Sequence, residues 1–119
     1  MKYVLVVEDN AENSDMLSRR LRRRGYEVEI AADGLAALDS VASRRPDIVL
    51  LDLSLPGIDG WEVARRLRAN PEFVALRLIA LTAHAMSGDR ERAIAAGCDE
   101  YETKPVNLNT LLEKIEQLT

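Results

Sequence analysis

The sequence predicts an α/β fold: a five-stranded parallel sheet with helices packed on both faces. Two observations predict it. Short apolar runs alternate with amphipathic helical stretches five times along the 119 residues, and such alternation implies parallel strands joined by right-handed crossovers. One apolar run, Ile48-Val49-Leu50-Leu51, passes directly into Asp52 and then into a loop rich in Pro and Gly. A strand buried on both faces reads this way.

The elements follow in order. Tyr3 to Val7 is apolar throughout and predicts a first buried strand, ending in Glu8, Asp9 and Asn10. Asn10 is a good helix cap; Met16, Leu17 and Leu21 then fall at helical spacing, and Gly25 closes the helix. Glu27 to Ala31 alternates polar and apolar, as a less buried strand does. Asp33-Gly34 turns the chain into a helix with apolar positions Leu35, Leu38, Val41 and Ala42, ended by Pro46 because the residue before proline avoids the helical region. Asp47 to Asp52 is the central strand. Trp61 to Ala69 predicts a short helix stopped by Asn70-Pro71. Leu78 to Leu81 is a fourth strand ending at Thr82, Met86 to Ala96 a fourth helix stopped by Gly97, and Tyr101 to Thr103 a fifth strand running into Lys104-Pro105. Asn107 caps a last helix whose face is Leu108, Leu111, Leu112, Ile115 and Leu118. Five strands of this length suit the flavodoxin-like order 2-1-3-4-5.

Composition bounds the function. The length is that of one domain, with 47% apolar and 30% charged residues. No apolar run approaches the ~20 residues that span a bilayer, and the start of the chain turns acidic too soon for a signal peptide. The single cysteine, Cys98, excludes an internal disulfide and fits a cytoplasmic setting. A net charge of −4 argues against generic nucleic-acid binding. The run Arg19-Arg20-Leu21-Arg22-Arg23-Arg24 reads as the solvated side of the first helix, with Leu21 alone facing inward; a surface for a partner kinase is its functional alternative.

In the order 2-1-3-4-5 the strand ends converge. Glu8 and Asp9 from the first strand meet Asp52 from the third, with Thr82 and Lys104 from the fourth and fifth on the other side. Three carboxylates repel one another, and a hard divalent cation offsets that repulsion; Mg²⁺ (or Mn²⁺) takes one or two carboxylates plus waters and phosphate oxygens. Thr82 and Lys104 are then phosphoryl-binding groups, a hydrogen-bond donor and a point charge. The set amounts to a nucleophilic carboxylate beside a metal.

These residues resemble the receiver domain of two-component response regulators, in particular the single-domain chemotaxis type. Glu8-Asp9-Asn10, Leu51-Asp52 followed by Leu55-Pro56-Gly57-Ile58-Asp59-Gly60, Thr82-Ala83, and Ala96-Gly97-Cys98-Asp99-Glu100-Tyr101 leading to Lys104-Pro105 stand in the order and spacing of that family, over the whole chain. The resemblance implies that residues 1–119 form one receiver domain without an output domain. It implies that Asp52 accepts a phosphoryl group from a phosphohistidine of a sensor kinase or phosphotransfer protein, the chain catalysing its own phosphorylation and dephosphorylation without being a conventional enzyme. Asp9, Asp52 and the carbonyl of Ser54 would bind the metal, with Glu8 acting through a metal-bound water. Thr82 and the amide of Ala83 would bind phosphoryl oxygens, and Lys104 would pair with them. The peptide before Pro105 would be cis. Thr82 and Tyr101 would form the switch, altering the face of the fourth helix, fifth strand and last helix that a downstream protein target reads; a homodimer through that face follows by analogy. Ser54 and His84 occupy positions that influence phosphate lifetime. Glu102 departs from the aliphatic residue more usual in the family, and an edge strand tolerates its charge.

Other classes are weaker. An aspartate-nucleophile phosphohydrolase needs a second acid two residues after the nucleophile, where Ser54 stands, and a substrate pocket or cap. A flavin binder needs a hydroxyl- and glycine-rich phosphate loop where Glu8, Asp9 and Glu12 lie. A receiver that is never phosphorylated is opposed by the intact acid, hydroxyl and lysine set. Trp61 reads as a helix-start residue near the site, Tyr101 also as a half-buried packing residue, and Cys98 as a small packing residue.

Overall fold

The computed structural model describes residues 1–83 and 88–119. Its elements are β1 (Tyr3–Val7), α1 (Ala11–Arg23), β2 (Glu27–Ala31), α2 (Gly34–Ser43), β3 (Ile48–Asp52), α3 (Gly60–Ala69), a 3-10 turn (Pro71–Phe73), β4 (Arg77–Thr82), α4 (Asp89–Ala95), β5 (Glu100–Thr103) and α5 (Leu108–Leu118). The sheet order is β2-β1-β3-β4-β5, all parallel. β1 and β3 are buried at every position. Their side chains alternate between two cores, since successive residues of a strand face opposite ways. Val4, Val6, Ile48 and Leu50 meet Leu21 of α1 and Leu111 and Ile115 of α5. Leu5, Val7, Val49 and Leu51 meet Val41 of α2 and Val63, Ala64 and Leu67 of α3.

Four helices begin on a side-chain cap. Asn10, Asp33, Asp59 and Asn107 accept from the backbone N–H three residues on, at 2.8–3.1 Å, each cap worth about 1 kcal/mol. They fix the helix starts just beyond the strand ends, where ligands bind in an open parallel sheet.

Two expectations are corrected. Leu35 is 60% exposed and Ala42 is also exposed; the inward face of α2 is Gly34, Ala37 and Val41. A β-carbon on Gly34 would meet Ile58 and Val63 below 3 Å, so this close approach, not the larger side chains, sets the rotation of the helix. Met16 is likewise exposed, because α1 turns Ser14, Ser18 and Leu21 to the sheet. The two serine hydroxyls donate to Ala11 and Asp15 carbonyls within the helix, which satisfies them without water. Glu102 stands on the edge strand as expected, and it is buried: the ammonium of Lys114 on α5 lies 2.7 Å from its carboxylate while donating to the Tyr101 carbonyl at 2.8 Å. Boundaries move by a residue or two: α3 starts at Gly60, β4 at Arg77, β5 at Glu100, and α4 ends at Ala95. The expected start of the fourth helix, Met86 and Ser87, lies outside the described residues.

Away from the strand ends, Arg68 ties α3 to the rest. Its guanidinium donates to the Gly97 and Phe73 carbonyls at 2.7 and 3.1 Å and to Asp99 at 2.7 Å, and Asp99 also accepts from the Leu78 N–H at 2.8 Å. Cys98 beside it is 3% exposed, and burial pushes its thiol up to about 11. The reactive thiolate is therefore nearly absent at pH 8. A disulfide reagent should leave the native chain unlabelled for hours at that pH and label it once within seconds in 6 M guanidinium chloride (on the order of the midpoints that unfold stable domains). Rapid labelling of the folded chain would contradict this placement.

Candidate functional site

The site stands where β1, β3, β4 and β5 end. In register, Val7 lies beside Leu51, Asp52 beside Leu81, and Thr82 beside Thr103. The residues just after these pairs are therefore delivered to one crevice. Glu8 follows β1, its N–H still bonded to the Ala31 carbonyl of β2 at 3.0 Å. Lys104 follows β5, its N–H donating to the Thr82 carbonyl at 2.7 Å. The Lys104–Pro105 peptide is cis.

Asp52 is buried, 4% exposed, and each carboxylate oxygen has a donor. The Ser54 N–H donates to Oδ1 at 2.9 Å, and the Lys104 ammonium to Oδ2 at 3.2 Å. The same ammonium lies 2.5 Å from Glu8 Oε1. Glu8 is itself buried and receives the Asn10 N–H at 3.5 Å. Asp9 is exposed, and carboxylate oxygens of Glu8, Asp9 and Asp52 lie within 4.8 Å of one another.

The electrostatics separate the two buried acids. Burial and the contact with Asp52 raise Glu8 above its ordinary range, against the pull of Lys104. Burial would raise Asp52 too, but Glu8, the Ser54 N–H and the Lys104 ammonium outweigh it and hold it below the ordinary range. Lys104 loses solvation, yet Glu8 and Asp52 raise it. When one proton is shared, Glu8 takes it and Asp52 stays a carboxylate. That is the form a nucleophile needs.

The donor set fits a small hard cation. All three groups offer oxygen, two from buried residues and one from the solvent side, leaving room for water and a further anion. Ser54 is exposed beyond Asp52, and Ala83 is exposed beyond buried Thr82. Tyr101 is half-buried against the core that holds α2 and α3, with its hydroxyl enclosed and without a hydrogen-bond partner among the described residues. His84 lies outside the described residues. Thus Glu8, Asp9, Asp52 and Lys104 come together, with Thr82 at the end of β4 and Ser54 and Ala83 on the flanking turns.

Two further contacts involve the start of α3. Gly60, first residue of α3, sits against the Asp52 and Leu53 backbone; a β-carbon there would lie 2.4 Å from the Asp52 carbonyl oxygen. Arg92 of α4 covers the Trp61 ring at 4.6 Å from its centroid, a cation–π contact between α4 and the start of α3. The second joins segments distant in sequence and is invisible to periodicity.

Known proteins share this arrangement. The polar-differentiation response regulator DivK of Brucella anthropi is 38% identical over 115 residues, covering 97% of this chain and 94% of that protein. The chemotaxis protein CheY4 of Vibrio cholerae superposes with a TM-score of 0.92 at 30% identity, over 100% of this chain and 99% of that one. The receiver domain of the sensor histidine kinase PA1611 of Pseudomonas aeruginosa, described with a magnesium ion coordinated in its active-site cleft, gives 0.90 at 37% identity, over 98% and 96%. The family model for the response regulator receiver domain matches residues 4–116. With nearly every residue inside that match and the sheet order unchanged, the chain belongs to the response regulator receiver domain family of two-component signalling.

Proposed function

We propose that this receiver is a phosphorylation-operated switch that takes a phosphoryl group onto Asp52 from a phosphohistidine of a sensor kinase or histidine phosphotransfer protein. The observation that carries this reading is the placement of Asp52: a buried carboxylate with a lysine ammonium 3.2 Å away, beside two further acids. Asp52 attacks phosphorus, the P–N bond breaks, and the imidazole leaves with the bonding pair. Lys104 pairs with the arriving phosphoryl oxygens, and Thr82 and the Ala83 amide donate to them. Asp9, Asp52 and the Ser54 carbonyl hold Mg²⁺ or Mn²⁺, with Glu8 completing the acidic set; when bound, the ion neutralises charge on the phosphoryl oxygens.

The product adds about two negative charges next to Lys104 and Thr82. Thr82 moves toward them and Tyr101 turns into the space it leaves. Among the described residues nothing hydrogen-bonds the enclosed Tyr101 hydroxyl to hold the resting ring. The reading extends to a changed α4-β5-α5 face for a protein target or a second copy, to Ser54 and His84 as tuners of phosphate lifetime, and to residues 1–119 working as one receiver domain in the cytoplasm. Among the described residues no helix is long and apolar enough to cross a membrane, which agrees with that setting.

Intact mass after incubation with acetyl phosphate tests the reading. One phosphoryl adduct should appear with Mg²⁺ and none after chelation. An unchanged mass with Mg²⁺, together with no response of Trp61 fluorescence to beryllofluoride, would sink it.

A further inference from the structure

Side-chain contacts tie α4 to α3 at two places, and the two ties differ in strength. Away from the acceptor, Arg68 near the close of α3 donates to the Gly97 carbonyl and to Asp99, both at 2.7 Å and both just beyond α4. Its side chain is 22% exposed, and charge-assisted bonds from a sheltered guanidinium are strong. Toward the acceptor, Arg92 of α4 covers the ring of Trp61, the second residue of α3, at 4.6 Å from its centroid. The Arg92 side chain is 68% exposed and also lies 3.5 Å from Asp89 on its own helix. An exposed cation–π contact is weak. One tie is built to hold and the other to release.

The weak tie stands next to Asp52. Trp61 follows Gly60, whose N–H donates to the Leu53 carbonyl at 3.2 Å and whose α-carbon faces the Asp52 carbonyl with no room for a side chain. The Trp61 ring packs on the same core as Tyr101 and as Ala93, the neighbour of Arg92 on α4. A close-packed path therefore runs from the Asp52 backbone through Gly60 and Trp61 to Arg92. Resting on the reading of Asp52 as a phosphorylation switch, we propose that Arg92 and Trp61 form a clasp that holds the receiver in its resting state. The clasp is closed while Asp52 is unmodified. It opens when charge is added there, and α4 swings about the Arg68 end. A contact biases a two-state equilibrium only by differing between the states, and this one is made in the resting state. Arg92 is a positioning residue: it acts on the acceptor through Trp61 and Gly60.

The test is the affinity for beryllofluoride, which stands in for the phosphoryl group on Asp52, measured by titration calorimetry in Mg²⁺ on the intact chain. Arg92→Gln should bind it about threefold more tightly than the native chain, the gain expected when one exposed cation–π contact no longer favours the resting state. Arg92→Lys, which keeps a cation for the ring, should stay close to the native value. In a Trp61→Leu background Arg92→Gln should bring no further gain, and this double-mutant comparison separates the ring contact from the Asp89 pair. Unchanged or weaker binding by Arg92→Gln would overturn the clasp, and so would an equal gain with and without the Trp61 ring. Should Trp61→Leu fail to fold, the contrast between Gln and Lys at position 92 decides: equal gains for the two overturn the proposal. Binding by the native chain that ignores Arg92 leaves the phosphorylation reading standing and ends only the clasp; a folded native chain that binds no beryllofluoride ends both.

Discussion

Asp52→Asn should take up no phosphoryl group from acetyl phosphate, its rate falling at least about a thousandfold, or ~4 kcal/mol of transition-state stabilisation. An amide oxygen is nearly isosteric with the carboxylate oxygen but carries no charge to attack phosphorus. Of the two donors that fix Asp52, the Ser54 N–H at 2.9 Å can still reach the amide oxygen, while the Lys104 ammonium loses its 3.2 Å acceptor to the amide NH2 but keeps its contact with Glu8, so the loss is chemical and not a collapse of the site. Mg²⁺ affinity should fall as well, by roughly tenfold, as one of three carboxylates is lost. Quantitative mass spectrometry gives the first number and a Trp61 fluorescence titration the second. A variant that still acquires one adduct at a comparable rate would move the acceptor to Glu8 or Asp9; circular dichroism matching the native chain excludes unfolding as the cause of a loss.

The sequence carried the site further than it carried the support beneath it. Acids at strand ends are legible because the strand order alone decides which ends are neighbours. Asp52 follows a run that must be buried, and Glu8 and Lys104 follow theirs, so their meeting needed no side-chain detail. The apolar face of α2 was misread because Leu35 outweighs Gly34 in any hydrophobic pattern, whereas the fold uses Gly34 for its lack of a side chain. The partner of Glu102 was not legible: the edge position of β5 holds, but α5 brings Lys114 to it. Such pairings join residues far apart in sequence, and neither period 2 nor period 3.6 contains them.

Gly60→Ala should be the most destabilising single-carbon change near the site, at about 3 kcal/mol and a fall of about 10 °C in Tm. The added β-carbon would lie 2.4 Å from the Asp52 carbonyl oxygen, 2.6 Å from Leu53 Cα and 3.0 Å from the Asp52 carbonyl carbon. All three are backbone atoms, and none can rotate away. Either α3 withdraws, breaking the 3.2 Å bond from the Gly60 N–H to the Leu53 carbonyl, or the end of β3 is displaced together with Asp52. Gly57→Ala separates this effect from the general cost of losing a glycine. Its φ is +73° and a β-carbon there meets nothing within 4 Å, so only backbone strain is added, about 1 kcal/mol. Thermal unfolding of the two variants side by side should therefore show a large loss for Gly60 and a small one for Gly57. Equal losses would mean that the contact between α3 and the Asp52 backbone relaxes freely. Unequal losses, with Mg²⁺ binding weakened only in Gly60→Ala, would show that the start of α3 sets the position of the acceptor through direct backbone contact.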